Sequence, residues 1–159
     1  LNTRFHPFMS AEAKLTELNL VLPDAPPPGG VYKPMVIAGN MAYLSGHGPY
    51  DKGSYITGHL GDDLDVEAGY AAARQTGLTL LRTMKDTLGS LDRVKRVIKL
   101  LGLVQCTSDF NQQPQVINGC SELFGDVFGE DGIGARSAIG TNALPGNLAV
   151  EIEVIVEVE

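Results

Sequence analysis

One arginine and a row of carboxylates carry the chemistry that this sequence offers. Arg136 stands in Gly134-Ala135-Arg136-Ser137-Ala138-Ile139-Gly140, a short and largely apolar segment. A guanidinium there must find an anion or water, and its planar fork of donors matches a carboxylate with two parallel hydrogen bonds. A Leu144-Pro145-Gly146-Asn147 turn follows. After it comes the strongest strand pattern in the chain, residues 150–158, with Glu151, Glu153 and Glu157 on alternate positions. A positioned carboxylate can orient a water and take its proton. A fixed cation followed by candidate bases is how a site for a small carboxylate would be built. The competing reading is a structural ion pair between Arg136 and Glu151 or Glu153.

Other reactive side chains are isolated. His47 lies between Gly46 and Gly48 on a loop after a strand; it reads as a turn residue or, if it lines a cleft, as a donor to a ligand near neutral pH. His59 has no ligand partner nearby, and Asp62, Asp63 and Asp65 do not follow a calcium-loop pattern. Cys106 and Cys120 form no CxxC pair, so they read as buried thiols in a reducing cytoplasm rather than a disulfide. The pattern calls for no metal and no cofactor.

Composition narrows the field. The chain has 159 residues, 43% of them hydrophobic and 19% charged, with a formal net charge of -7. That length suits one domain with a sizeable core. A nucleic-acid binder carries a basic stripe, and an acidic chain of this kind lacks one. Arg93, Lys95, Arg96 and Lys99 cluster, but strand alternation splits them between faces as solvated charge. No run is long enough to span a membrane as a helix, and residues 1–9 lack the apolar core of a signal peptide. Residues 1–8, with His6, read as a leader or a cloning remnant. A cytoplasmic location is the expectation.

The elements that must position these residues follow from periodicity. Residues 10–18 read as a short helix capped by Ser10. The Pro-rich stretch Pro23 to Gly30 can only be an extended connector. Residues 1–28 are therefore set apart from a domain at 29–159. Two apolar runs around Gly39-Asn40 predict a β-hairpin, 34–38 with 41–45. A polar, Gly-rich loop runs on to Asp63. Asp65 caps a long helix to Leu88, with Ala73, Gly77, Leu80, Met84 and Leu88 as its buried stripe. Gly77 permits close approach to a sheet. Residues 94–106 form a strand whose unbroken apolar stretch, Val97 to Val104, predicts burial on both faces. A third helix, 114–128, buries Val116, Cys120, Leu123 and Val127 and is closed by Gly129.

The resulting order, ββ-α-β-α-ββ after the short helix, predicts an α+β fold with a mixed sheet and helices on one face. Val150, Ile152, Val154, Val156 and Val158 face the helices. The opposite face carries Ile155 and part of the 97–104 stretch. Apolar area of that kind is rarely left in water, which predicts a symmetric oligomer joined through the helix-free face.

The motifs together resemble one family. Val31-Tyr32-Lys33-Pro34 and Gly39-Asn40-Met41-Ala42-Tyr43-Leu44-Ser45-Gly46-His47-Gly48-Pro49 resemble the opening of the Rid/YjgF family, also labelled endoribonuclease L-PSP. Val116-Ile117-Asn118-Gly119 resembles its helix motif. Ala135-Arg136-Ser137-Ala138, Ala143-Leu144-Pro145 and Val150-Glu151-Ile152-Glu153 resemble its C-terminal signature. The similarity runs in order from about residue 29 to the end. It implies a chorismate-mutase-like fold of the bacillus type, a homotrimer, and small-carboxylate sites in the clefts between subunits.

The resemblance also implies hydrolytic deamination of 2-imino acids. Arg136 then matches the arginine that binds the substrate carboxylate, and Glu151 the glutamate that holds the hydrolytic water. Tyr32, Asn118, Ser45 and Gly46 match cleft positions, and His47 stands where glutamine is usual. Ala138 replaces a cysteine of the typical branch, which marks a divergent one. A trimer that binds carboxylates without turnover is the alternative. Ribonuclease activity, suggested by the older label, fits poorly with the acidic chain.

Overall fold

A computed structural model describes residues 9–159; the expectations for residues 1–8 and His6 lie outside the described residues. Helix α1 spans Ala11–Glu17, and Ser10 caps it by accepting from the backbone N–H of Ala13. Strands β1, Met35–Ala38, and β2, Met41–Leu44, form the predicted hairpin. The loop after them contains a second hairpin, β3 (Tyr50–Asp51) with β4 (Ser54–Tyr55), which the polar composition concealed. Lys52 and Gly53 both take positive φ there, the geometry of a two-residue hairpin turn. Helix α2 spans Val66–Leu88 behind an Asp65 cap. Strand β5 is Val94–Gln105, helix α3 Gln113–Phe128, strand β6 Ala135–Thr141 and strand β7 Val150–Val158.

The main sheet has the order β1-β2-β7-β5-β6. Its pairs are antiparallel except β5 with β6, which is parallel. Helices α2 and α3 cover one face, so the α+β reading holds. The predicted stripes of α2 and α3 are all buried. Alternate residues of β7, from Val150 through Ile152 and Val154 to Val156, lie in the same core. Burying each such side chain contributes about 1.5–3 kcal/mol, the main force holding helices to sheet.

Three expectations need correction. Gly77 admits a helix rather than a sheet: a Cβ there would meet Leu123 of α3 at 2.7 Å. Gly119 makes the same crossing closer, since its Cβ would fall 2.1 Å from the backbone oxygen of Tyr70. Strand β5 is not buried on both faces. Val97, Leu100, Gly102 and Val104 lie under the helices, while Leu101 and Leu103 remain half-exposed on the open face. Finally, the packing unit begins ahead of residue 29. Ala11 and Leu15 of α1 join the common core, and Glu12 accepts from the Leu91 N–H and pairs with Lys85.

Candidate functional site

Arg136 is placed by the parallel pairing of β6 with β5. In that register Arg136 lies opposite Leu100, and Leu100 lies opposite Val154 of β7. Both neighbours are buried beneath the helices, so Arg136 projects to the helix side of the sheet edge. There its Nη1 donates to Asn118 Oδ1 at 2.7 Å and to Ser121 Oγ at 3.2 Å. Asn118 and Ser121 stand three residues apart on α3 and so share a helix face. Both are neutral, so they orient the guanidinium without discharging it. Among the described residues, Arg136 has no carboxylate partner. The ion pair with Glu151 or Glu153 is not formed within the chain. Arg136 opens onto a cleft of about 330 Å³ lined also by Val97, Leu100, Glu122 and Ile133.

Glu151 lies on the other face. It pairs with Leu103, which pairs with Ile139, and this row belongs to the helix-free side. Glu151 is half-buried. That burial pushes its carboxyl above the ordinary carboxylate range, and the charge of Glu153 adds to the shift. A raised value suits a base that must work near neutral pH. Gly46 makes room for it: a Cβ at Gly46 would stand 2.8 Å from the Glu151 carboxyl carbon.

The remaining predicted residues gather around Gly46, with different partners. Ser45 Oγ donates to the Lys33 carbonyl at 2.7 Å, tying the strand to the segment before β1. Tyr32 is exposed, and its hydroxyl accepts from the Gly29 N–H at 3.2 Å. His47 is buried and turned toward α2. Its Nδ1 donates to the Ser45 carbonyl at 2.6 Å, so Nε2 accepts from Thr83 Oγ at 2.8 Å. Burial holds its pKa below the ordinary 6.5, although the Ser45 carbonyl opposes that. His47 also exchanges two backbone hydrogen bonds with Ile152, the residue after Glu151.

The fold thus brings Arg136 together with Asn118, and Glu151 together with Gly46. It does not bring the two pairs together: the sheet lies between them, across β6, β5 and β7. His47 joins Thr83 rather than Glu151. Ser121 and Glu122 escaped the sequence reading, although helical spacing from Asn118 signals Ser121. Both cysteines are free and buried, and burial pushes the Cys120 thiol far up. Among the described residues no cluster of three metal-ligating side chains occurs. No helix there is long and apolar enough to cross a membrane.

Known proteins share this fold. Residues 12–158 match the family described as "YjgF/chorismate_mutase-like, putative endoribonuclease". Protein TCP17 of Trypanosoma cruzi is 43% identical over 147 residues, covering 91% of this chain and 92% of that protein. The 2-iminobutanoate/2-iminopropanoate deaminase of Dermatophagoides farinae is 30% identical over 139 residues, covering 86% and 93%. The crystal structure of Atu1372, a protein of unknown function from Agrobacterium tumefaciens, superposes with a TM-score of 0.87 at 41% identity, over 94% of this chain and 92% of that one.

Proposed function

The chain belongs to the YjgF/chorismate mutase-like family, and from that premise we propose that it hydrolyses small 2-imino acids to 2-keto acids and ammonia in clefts between the copies of a homotrimer. The observation that carries this reading is Arg136, held by two neutral partners and without a carboxylate partner among the described residues, at the mouth of a cleft. The deaminase relative supports the reaction class.

The two faces of the sheet support the assembly. One chain cannot offer Arg136 and Glu151 to the same small molecule, because they project from opposite sides of its sheet. Two chains can, when the open face of one meets the β6 edge of the next. That open face carries Val36, Tyr43, Leu101, Leu103, Ile139 and Ile155, an apolar area that a second copy would remove from water.

The chemistry needs little catalytic power. The Arg136 fork grips the substrate carboxylate and fixes the C=N carbon. Glu151 orients a water and takes its proton as the oxygen adds to that carbon. Glu151 passes that proton to the imine nitrogen, which gives a neutral carbinolamine; it then takes the carbinolamine hydroxyl proton and delivers it to the nitrogen as the C–N bond breaks, so that ammonia leaves and a keto acid remains. One water is consumed and no electrons are exchanged. Ala138, packed toward the core, has no part in the scheme.

The test is ammonia release from imines generated in situ by an amino-acid oxidase. The protein accelerates release and Arg136→Ala removes the acceleration. Equal rates for both proteins and for buffer would sink the proposal. Stabilisation by keto acids that is lost in Arg136→Ala, without turnover, would reduce it to carboxylate binding.

A further inference from the structure

The cleft that opens at Arg136 carries a second charge, which the deaminase scheme leaves without a task. Glu122 of α3 lines it, one helical turn beyond Asn118. Asn118, Ser121, Glu122 and Gly125 follow the i, i+3, i+4, i+7 spacing and so share one stripe of the helix. The first two orient the guanidinium. The last leaves room for Ile133, whose Cδ1 would lie 3.1 Å from a Cβ at Gly125.

Glu122 and Arg136 do not neutralise each other. One turn of helix sets Glu122 about 6 Å along the axis from Asn118, and the guanidinium is held at Asn118, 2.7 Å from its Oδ1. Glu122 is drawn the other way, since its Oε2 accepts from the Tyr70 hydroxyl of α2. Among the described residues it has no ion-pair partner. Asp126 and Arg74 also act on the Tyr70 hydroxyl. Around that hydroxyl two negative charges therefore stand against one positive charge.

Between Arg136 and Glu122 the wall is apolar. Val97 and Leu100 are buried at its base, and Ile133 is 58% exposed at its rim. At about 330 Å³ the cleft reaches the size of small-molecule sites, more than a carboxylate group fills. A ligand anchored on Arg136 by its carboxylate runs past this apolar wall and ends beside a second, protein-borne carboxylate. A cation on an aliphatic stem matches that order. Its methylenes cover Ile133 while the charged head stays at the wet rim near Glu122. A second carboxylate at the same end meets like charge.

Resting on the deaminase reading, we infer that Glu122 is a specificity-determining residue: it makes the cleft favour 2-imino acids whose side chain ends in a cation, and disfavour those whose side chain ends in a second carboxylate. Glu122 touches no reacting atom in this scheme. It acts through attraction for one side chain and repulsion of another, the two ways in which a site discriminates. Tyr70 positions it by holding one carboxylate oxygen.

The experiment uses imines generated in situ from arginine, leucine and glutamate, with the matching 2-keto acids in thermal melts. For the parent protein kcat/KM falls in that order, with the arginine-derived imine about tenfold or more above the glutamate-derived one at low salt. Salt at about 1 M, where the Debye length is about 3 Å, compresses this ratio. Glu122→Gln compresses it to about twofold, and Glu122→Lys reverses the order. The position is exposed on its helix, and circular dichroism checks that both variants fold. A merely structural Glu122 would shift all three substrates together and leave the ratio alone. Arg136→Ala depresses every substrate alike, which tests the underlying reading separately. If keto acids stabilise the protein without turnover, the same charge order is read from the melts. If imines are hydrolysed yet the parent shows no charge preference, or both folded Glu122 variants keep the parental ratio, the assignment is wrong and the deaminase reading stands. If no imine is hydrolysed and no keto acid stabilises the protein, both fall.

Discussion

Replacing Gly46 with alanine separates stability from turnover. A Cβ at this position would stand 2.8 Å from the Glu151 carboxyl carbon, 3.0 Å from its Cγ and 3.1 Å from Oε1. Ordinary contact begins at 3.4 Å, so the carboxylate must retreat by about 0.6 Å or swing outward. It is the far end of a half-buried side chain on the open face, and it can move. The stability cost stays near 1 kcal/mol, the low end for overpacking, which lowers the melting temperature by about 2–4 °C for a chain of this size. Turnover responds differently. Displacing a positioned catalytic group by about 1 Å costs on the order of 100-fold. Gly46→Ala therefore loses roughly 10- to 100-fold in kcat, with KM nearly unchanged because Arg136 is untouched. The retreat also carries Glu151 toward water. Its raised pKa then relaxes downward, and the acid limb of the pH–rate profile moves to lower pH. Coupled ammonia assays across pH, beside a thermal melt, measure all three effects. A variant with parental kcat and an unmoved acid limb would refute the placement of Glu151 as the working base.

Other predictions test the frame around the site. Gly119→Ala drives a methyl into the Tyr70 carbonyl where α2 and α3 cross, and costs about 3 kcal/mol or more in denaturant unfolding. His47 has a folded pKa below its unfolded value, so its contribution is present above pH 6.5 and is lost as pH falls below it; melting temperature followed across that range shows the loss, and His47→Gln flattens it. Arg136→Lys keeps the charge but not the fork held by Asn118 and Ser121, and raises KM by about tenfold or more in the imine assay while leaving the melt nearly unchanged.

Much of the fold was legible because it is written in local patterns. Asp65 and Ser10 announce their helices by capping, and Gly39-Asn40 announces its hairpin. The alternation from Val150 to Val158, broken on the outer face only by Ile155, announces both a strand and its buried face. The β3–β4 hairpin was not legible, because strands of two residues leave no period to read. The unbroken apolar stretch of β5 was misread for a related reason. Composition alone cannot distinguish a second covered face from one left half-open within the chain, as Leu101 and Leu103 are.

The site divides along the same line. Residue types and spacing alone marked Arg136 as a cation in need of an anion and the alternating carboxylates Glu151, Glu153 and Glu157 as candidate bases. The resemblance to known motifs singled out Glu151 and named the chemistry. Nothing in the linear order says on which side of the sheet each residue emerges. That depends on register across β6, β5 and β7, and in a sheet one residue of register exchanges the faces. Tertiary structure therefore decided that Arg136 turns to Asn118 under α3 while Glu151 rises over Gly46 on the open side. It decided as well that His47 serves Thr83 in the interior. Two side chains only 15 positions apart in sequence are held apart by the sheet that their own strands build.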